Sequence, residues 1–132
     1  MKYLVLLGRI LYAAIFISAA PGHFTAGTIA YAANKGVPLA SIAVPLSGIL
    51  ALLGGLSILA GYKARYGAWL LVIFLVPVTF MMHNFWAFTE PMAARTQYIM
   101  FMKNVSMLGA SLLIAYFGSG PFSLDDRKKM SS

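Results

Sequence analysis

Four long apolar runs constrain this chain more than any other feature. A helix needs roughly 20 mainly apolar residues to cross a hydrocarbon core about 30 Å thick, because each residue rises about 1.5 Å. Residues 3–22, 38–61, 66–82 and 98–117 meet that requirement, and Arg9 and Lys103 are the only charges within them. Apolar character runs nearly all round each segment, as it must where the neighbour is lipid. Of the 132 residues, 61% are hydrophobic and 10% charged, against about 45–50% apolar and about 25% charged in soluble domains. A chain with so little polar surface cannot cover itself in water, and a disordered chain needs the opposite balance. The expected architecture is an all-α integral membrane four-helix bundle, one domain over 1–132 with 118–132 as a tail.

The net charge of +7 does not point to nucleic acid, because the basic residues stand singly between apolar runs rather than in a patch. They read as topology signals and contacts to anionic headgroups, so the bilayer is the first partner. Lys2, Lys63, Arg65, Arg127, Lys128 and Lys129 fall on one side, Lys35 and Arg95 on the other. The positive-inside rule then places both termini in the cytoplasm of a multi-pass inner-membrane protein. A secretory signal peptide is the rival reading of the first run, from Met1-Lys2 and Ser18-Ala19-Ala20; Arg9 inside the run and Pro21 after it weigh against cleavage. The chain has no cysteine, which excludes disulfides, iron–sulfur clusters, thiolate zinc and thiol redox cycling.

The outer connectors carry structure of their own. The segment from Thr28 to Lys35 is rich in helix formers and stops at Gly36 before Pro38, which predicts a short interfacial helix between spans one and two. Phe85, Trp86 and Phe88 form an aromatic belt. Thr89 is the expected cap of the last helix, with Glu90 and Pro91 in its first turn. Pro77 should bend span three. Span two holds Gly48, Ala51, Gly54 and Gly55, and Ser47, Gly54 and Gly61 repeat at sevens; this small-residue density makes it the expected centre of the bundle. Such stripes serve contacts within one chain or between copies, so a homo-oligomer stays open.

Polar residues inside a membrane are costly unless paired, which makes them informative. Arg9, Phe16 and His23 recur at sevens, as do Gln97, Asn104 and Ser111, while Thr79 and His83 lie one turn apart. His23, His83, Asn84, Gln97, Lys103 and Asn104 gather in the outer half, with Trp86 at the rim, and form a candidate polar pocket. Arg9 stands apart in the inner half. Against this, Arg9 and Lys103 can snorkel, Asn104 and Ser111 can simply bond other helices, and helix-end histidines are commonly interfacial. Arg9, Ser47, Gln97 and Ser111 therefore read as structural polar groups. Two histidines without nearby acids make a poor metal site, and no metal is expected. No span contains a carboxylate, which argues against a proton-driven pump.

Gly8-Arg9-Ile10-Leu11 followed by Gly22-His23-Phe24 resembles the start of bacterial DoxX family proteins. Leu46-Ser47-Gly48 with Gly54-Gly55, His83-Asn84-Phe85-Trp86, Lys103-Asn104-Val105 and the closing Gly118-Ser119-Gly120-Pro121-Phe122-Ser123-Leu124-Asp125 resemble the family in the same order. The resemblance implies a four-helix inner-membrane protein. A DoxD-type relative is a subunit of thiosulfate:quinone oxidoreductase, and another is associated with a membrane oxidoreductase complex in oxidative-stress defence. Many relatives carry a Glu where this chain has Ala51. The leading expectation is an accessory subunit of a membrane redox system, not an enzyme alone, binding a quinone for an oxidoreductase partner through donors such as His83, Asn104 and Lys103. The alternatives are a small transporter or lipid-handling protein and a membrane scaffold or assembly factor. Haem b held between His23 and His83 ranks behind all of these.

Overall fold

The computed structural model describes residues 1–131, with side chains as far as Arg127; Ser132 of the tail and the side chains of Lys128 and Lys129 lie outside that description. Among the described residues six α-helices follow one another: α1 (Lys2–Ala19), α2 (Ala26–Asn34), α3 (Ala40–Ala60), α4 (Ala64–Met82), α5 (Pro91–Phe117) and α6 (Leu124–Ser131). Short 3-10 segments, Ala20–Phe24 and Phe85–Ala87, extend α1 and follow α4. The first, third, fourth and fifth helices, with those extensions, are long and apolar enough to cross a membrane. The expected all-α four-helix membrane bundle is therefore the observed fold, with α2 as the short helix between the first two spans.

Local chemistry explains the boundaries. Thr25 caps α2 by accepting from Thr28 N at 3.3 Å, and Gly36, with φ +90, turns the chain out of it. The last span starts seven residues earlier than its apolar run, because Glu90 rather than Thr89 caps it. The Glu90 carboxylate accepts from Met92 N at 3.1 Å and Ala93 N at 2.7 Å, which neutralises the exposed N–H groups of the first turn. Helices α3 and α4 run on through Pro45 and Pro77, as membrane helices can when neighbouring helices support them.

Helix α3 is the centre of the bundle. It packs against α1 on one side and α4 on the other, and Gly48, Ala51, Gly54 and Gly55 are all buried. A Cβ on Gly54 would lie 2.7 Å from Leu71 and 2.9 Å from the Gly67 carbonyl of α4. One on Gly55 would lie 3.0 Å from Ile17 of α1. The two glycines thus set backbone approach to opposite neighbours, which is what small residues do where no hydrophobic effect drives helices together. Gly61, the last of the seven-residue series, has left the helix with φ +67. Helix α1 reaches α5 through Tyr12, whose hydroxyl donates to the Met107 carbonyl at 2.8 Å and pairs with Ser111.

The end carrying both termini is latched. The segment after α5 folds back so that Asp125 accepts from Lys63 N at 2.7 Å and Ala64 N at 3.1 Å, capping α4. Asp125 N donates to the Gly61 carbonyl at 2.8 Å, and Ser119 Oγ donates to Asp125 at 3.1 Å. Arg9 is only 4% exposed and donates to the Phe122 carbonyl, with Asp125 as its electrostatic partner. Arg9 therefore does not snorkel; it is buried under the C-terminal segment.

Candidate functional site

The opposite end of the bundle holds both histidines. His23 lies in the 3-10 extension of α1, which presses onto α3 at Gly48. A Cβ there would fall 2.6 Å from His23 Cβ and 3.3 Å from the Ala20 carbonyl, so glycine at 48 sets how closely the histidine approaches. His23 Nδ1 donates to the Ala19 carbonyl at 3.0 Å, and its ring meets Phe74 edge-on at 5.5 Å. His83 ends α4, where the chain leaves helical geometry, and its Nδ1 donates to Gln97 Oε1 of α5 at 3.0 Å. A carbonyl oxygen can only accept, so each imidazole carries a hydrogen on Nδ1 in these contacts. The neutral ring then presents Nε2 as a lone-pair acceptor.

Both rings line one apolar cavity of about 450 Å³ among the four spans and α2. Thr28, Ser47 and Asn104 are its other polar residues, and Met81, Met82 and Met107 give it deformable thioether walls. Ser47 is already bonded to the Val44 carbonyl at 2.6 Å, and Thr28 accepts from Thr25. The Asn104 amide and the two Nε2 atoms have no hydrogen-bond partner among the described residues. An apolar chamber with three open polar points suits a hydrophobic molecule that carries a few hydrogen-bonding groups. Helix α2 closes one side through Ala32, which packs with Ala40 and Val44 of α3.

Not every residue expected here arrives. Lys103 is exposed on α5 and outside the cavity, because successive residues of a helix point about 100° apart and its neighbour Asn104 takes the inward direction. Asn84 is spent as an acceptor from Lys35 Nζ at 2.6 Å. Trp86 is 59% exposed and packs at the rim against Phe85 and Phe101. Gln97 sits behind His83 and orients it. Ser111 lies deeper, bonded to Tyr12, and Arg9 is at the other end. Sequence reasoning missed Lys35, Thr28 and Tyr12. Tyr12 was findable, since it stands three residues from Arg9 and four from Phe16 on the inward face of α1.

The DoxX family model matches residues 4–84, which takes in α1 through His83 and Asn84. The chain belongs to the DoxX family. This DoxX protein is 37% identical over 123 residues to the inner membrane protein YqjF of Escherichia coli, covering 92% of this chain and 88% of that one. It is 33% identical over 101 residues to the inner membrane protein YphA of the same organism, covering 76% and 71%. It is also 27% identical over 82 residues to the ER-derived vesicles protein ERV29 of Saccharomyces cerevisiae, covering 62% of this chain but 26% of that one. No solved structure matches it. With four spanning helices and inner-membrane relatives, the DoxX chain is a multi-pass inner-membrane protein in contact with the bilayer.

Proposed function

We propose that this DoxX protein is an accessory membrane subunit that holds a quinol in the histidine-lined cavity for an oxidoreductase partner. The observation that carries the reading is the pair of histidines whose Nδ1 hydrogens are already committed. Two Nε2 acceptors on residues that line an apolar cavity would select a ligand with hydroxyl donors, and a hydroquinone offers two on one rigid ring. A quinone offers only carbonyl acceptors and would require the rings to be protonated first. The site therefore favours the reduced ligand. When a partner removes two electrons from the quinol, the two hydroxyl protons pass to Nε2 of His23 and His83, whose N–H groups then donate to the quinone carbonyls; once those protons leave the rings, the quinone loses its hydrogen bonds to the site. The chain has no cysteine for a thiol couple, so the electrons leave through the partner.

Lys2, Lys63, Arg65 and Arg127 share the latched end, and the positive-inside rule orients that end to the cytoplasm and the cavity to the outer leaflet. An export-dependent reporter enzyme fused to the C-terminus should be inactive; activity would reverse the orientation. The ligand reading is tested by an ultraviolet oxidised-minus-reduced difference spectrum of protein purified gently in native lipid. The expected result is a stoichiometric quinone band that disappears in the His23→Phe, His83→Phe double variant. A featureless spectrum from the parent protein would count against the quinol.

A further inference from the structure

The latched end carries a second concavity, of about 350 Å³, between the α3–α4 turn and the segment leaving α5. It shares no lining residue with the histidine cavity. Lys63, Arg65, Asp125 and Asp126 are its ionic groups. Asp125 is committed to the α4 N-terminus, to Ser119 and to the field of Arg9. The Asp126 carboxylate and the Arg65 guanidinium form no hydrogen bond or ion pair among the described residues, and Lys63 Nζ meets only the Tyr62 ring, at 5.6 Å. Gly118, with φ +83, lets the Arg65 guanidinium lie over the loop; a Cβ there would be 3.2 Å from Nε. Tyr66 and Phe117, 72% and 70% exposed, are the apolar walls.

We propose that this groove binds a phosphate-bearing headgroup. The phosphate oxygens fall to Arg65 and Lys63, a headgroup amine to Asp126, and the acyl chains to the faces of Tyr66 and Phe117. Two open cations against one open carboxylate match a phosphodiester that carries an ammonium, and the planar guanidinium fits two phosphate oxygens at once. The groove also lies at the end of the membrane-spanning helices, at the level where headgroups reside. It rests on different residues from the quinol site, so either can fail without the other.

Native mass spectrometry of the detergent-solubilised full chain tests the assignment. It would be titrated with a phosphatidylethanolamine, a phosphatidylglycerol and a diacylglycerol of the same acyl chains, with inorganic phosphate as a competitor. Both phospholipids should bind about tenfold more tightly than the diacylglycerol, the scale of one charge-assisted contact. Arg65→Gln should abolish that preference, and Lys63→Gln, which keeps the backbone N–H that Asp125 uses, should weaken it. Asp126→Asn should lower phosphatidylethanolamine binding and leave phosphatidylglycerol unchanged. Equal binding of diacylglycerol, or phospholipid preference surviving both basic-residue variants, would overturn the proposal. Displacement of both lipids by inorganic phosphate at the lipids' own concentration would assign the groove to free phosphate and overturn the lipid source.

Discussion

Replacing Asp125 with alanine removes at once the cap of α4, the Ser119 bond and the charge that faces Arg9. Two N–H groups, of Lys63 and Ala64, lose their acceptor, and a lost cap costs about 0.5–2 kcal/mol. Lys63 also sits at φ 49, a conformation that costs about 1–2 kcal/mol for a residue with a side chain, and the Asp125 bond to its N–H helps hold it there. The Asp125 charge also acts on the guanidinium of Arg9, which is 4% exposed, and its removal leaves that buried charge less compensated. The cap sets the scale of the loss, about 0.5–2 kcal/mol, and the electrostatic contribution adds to it. Asp125→Asn should lose less, since an amide oxygen still caps. Adding Arg9→Met to Asp125→Ala removes the stranded guanidinium, so the double variant should fall short of the summed singles by about 1–3 kcal/mol. Reversible unfolding in mixed detergent, followed by near-ultraviolet circular dichroism, reads the parent, the three single variants and the double variant. A loss below about 0.5 kcal/mol for Asp125→Ala, or strict additivity of the double variant, would refute the latch.

Other consequences follow from the packing. Gly54→Ala must fit a methyl group 2.7 Å from Leu71 and 2.9 Å from a carbonyl oxygen, an overpacking cost of about 1–3 kcal/mol. Gly109→Ala meets nothing within 4 Å and should gain up to about 1 kcal/mol from helix propensity alone; equal effects in one unfolding titration would sink the close-approach argument. Tyr12→Phe strands the fully buried Ser111 and should cost about 0.6–1.7 kcal/mol, the range of interhelical hydrogen bonds in membranes, with no loss of cavity ligand. Gly48→Ala displaces the His23 segment from α3, so it should weaken quinol retention in dialysis more than Gly109→Ala does. Equal retention by the two variants would separate His23 from the site.

Much of this fold was legible because it rests on local chemistry. Four spans follow from apolar length, α2 from the helix formers between Thr28 and Lys35 and the stop at Gly36 before Pro38, and the centrality of α3 from its glycines. Of the residues spaced at sevens, Arg9, Phe16 and Ser111 are buried, His23 is half-buried, Gln97 bonds His83 and Asn104 lines the cavity. Lys103 escaped because it was grouped with Asn104 by adjacency, and adjacency on a helix means different faces. Asn84 and Trp86 lie beyond the end of α4, where helical arithmetic stops and long-range contacts decide. The latch was invisible for the same reason. Nothing in the sequence near Gly61 or Lys63 announces that Asp125 will cap that turn, and the choice for Arg9 between snorkelling and burial depends on that docking. The direction of each imidazole hydrogen required the structure outright, since it depends on Ala19 and Gln97 as acceptors.

The most direct test of the account compares a short-chain hydroquinone with its dimethyl ether, by equilibrium dialysis against the protein in lipid nanodiscs. The two molecules share ring and shape, but the ether has no hydroxyl hydrogens for Nε2 of His23 and His83. The account predicts about tenfold tighter binding of the hydroquinone, from two hydrogen bonds of about 0.5–1.5 kcal/mol each, and loss of the difference in the double phenylalanine variant. Equal affinity for the ether, or a difference that persists without the histidines, would contradict it.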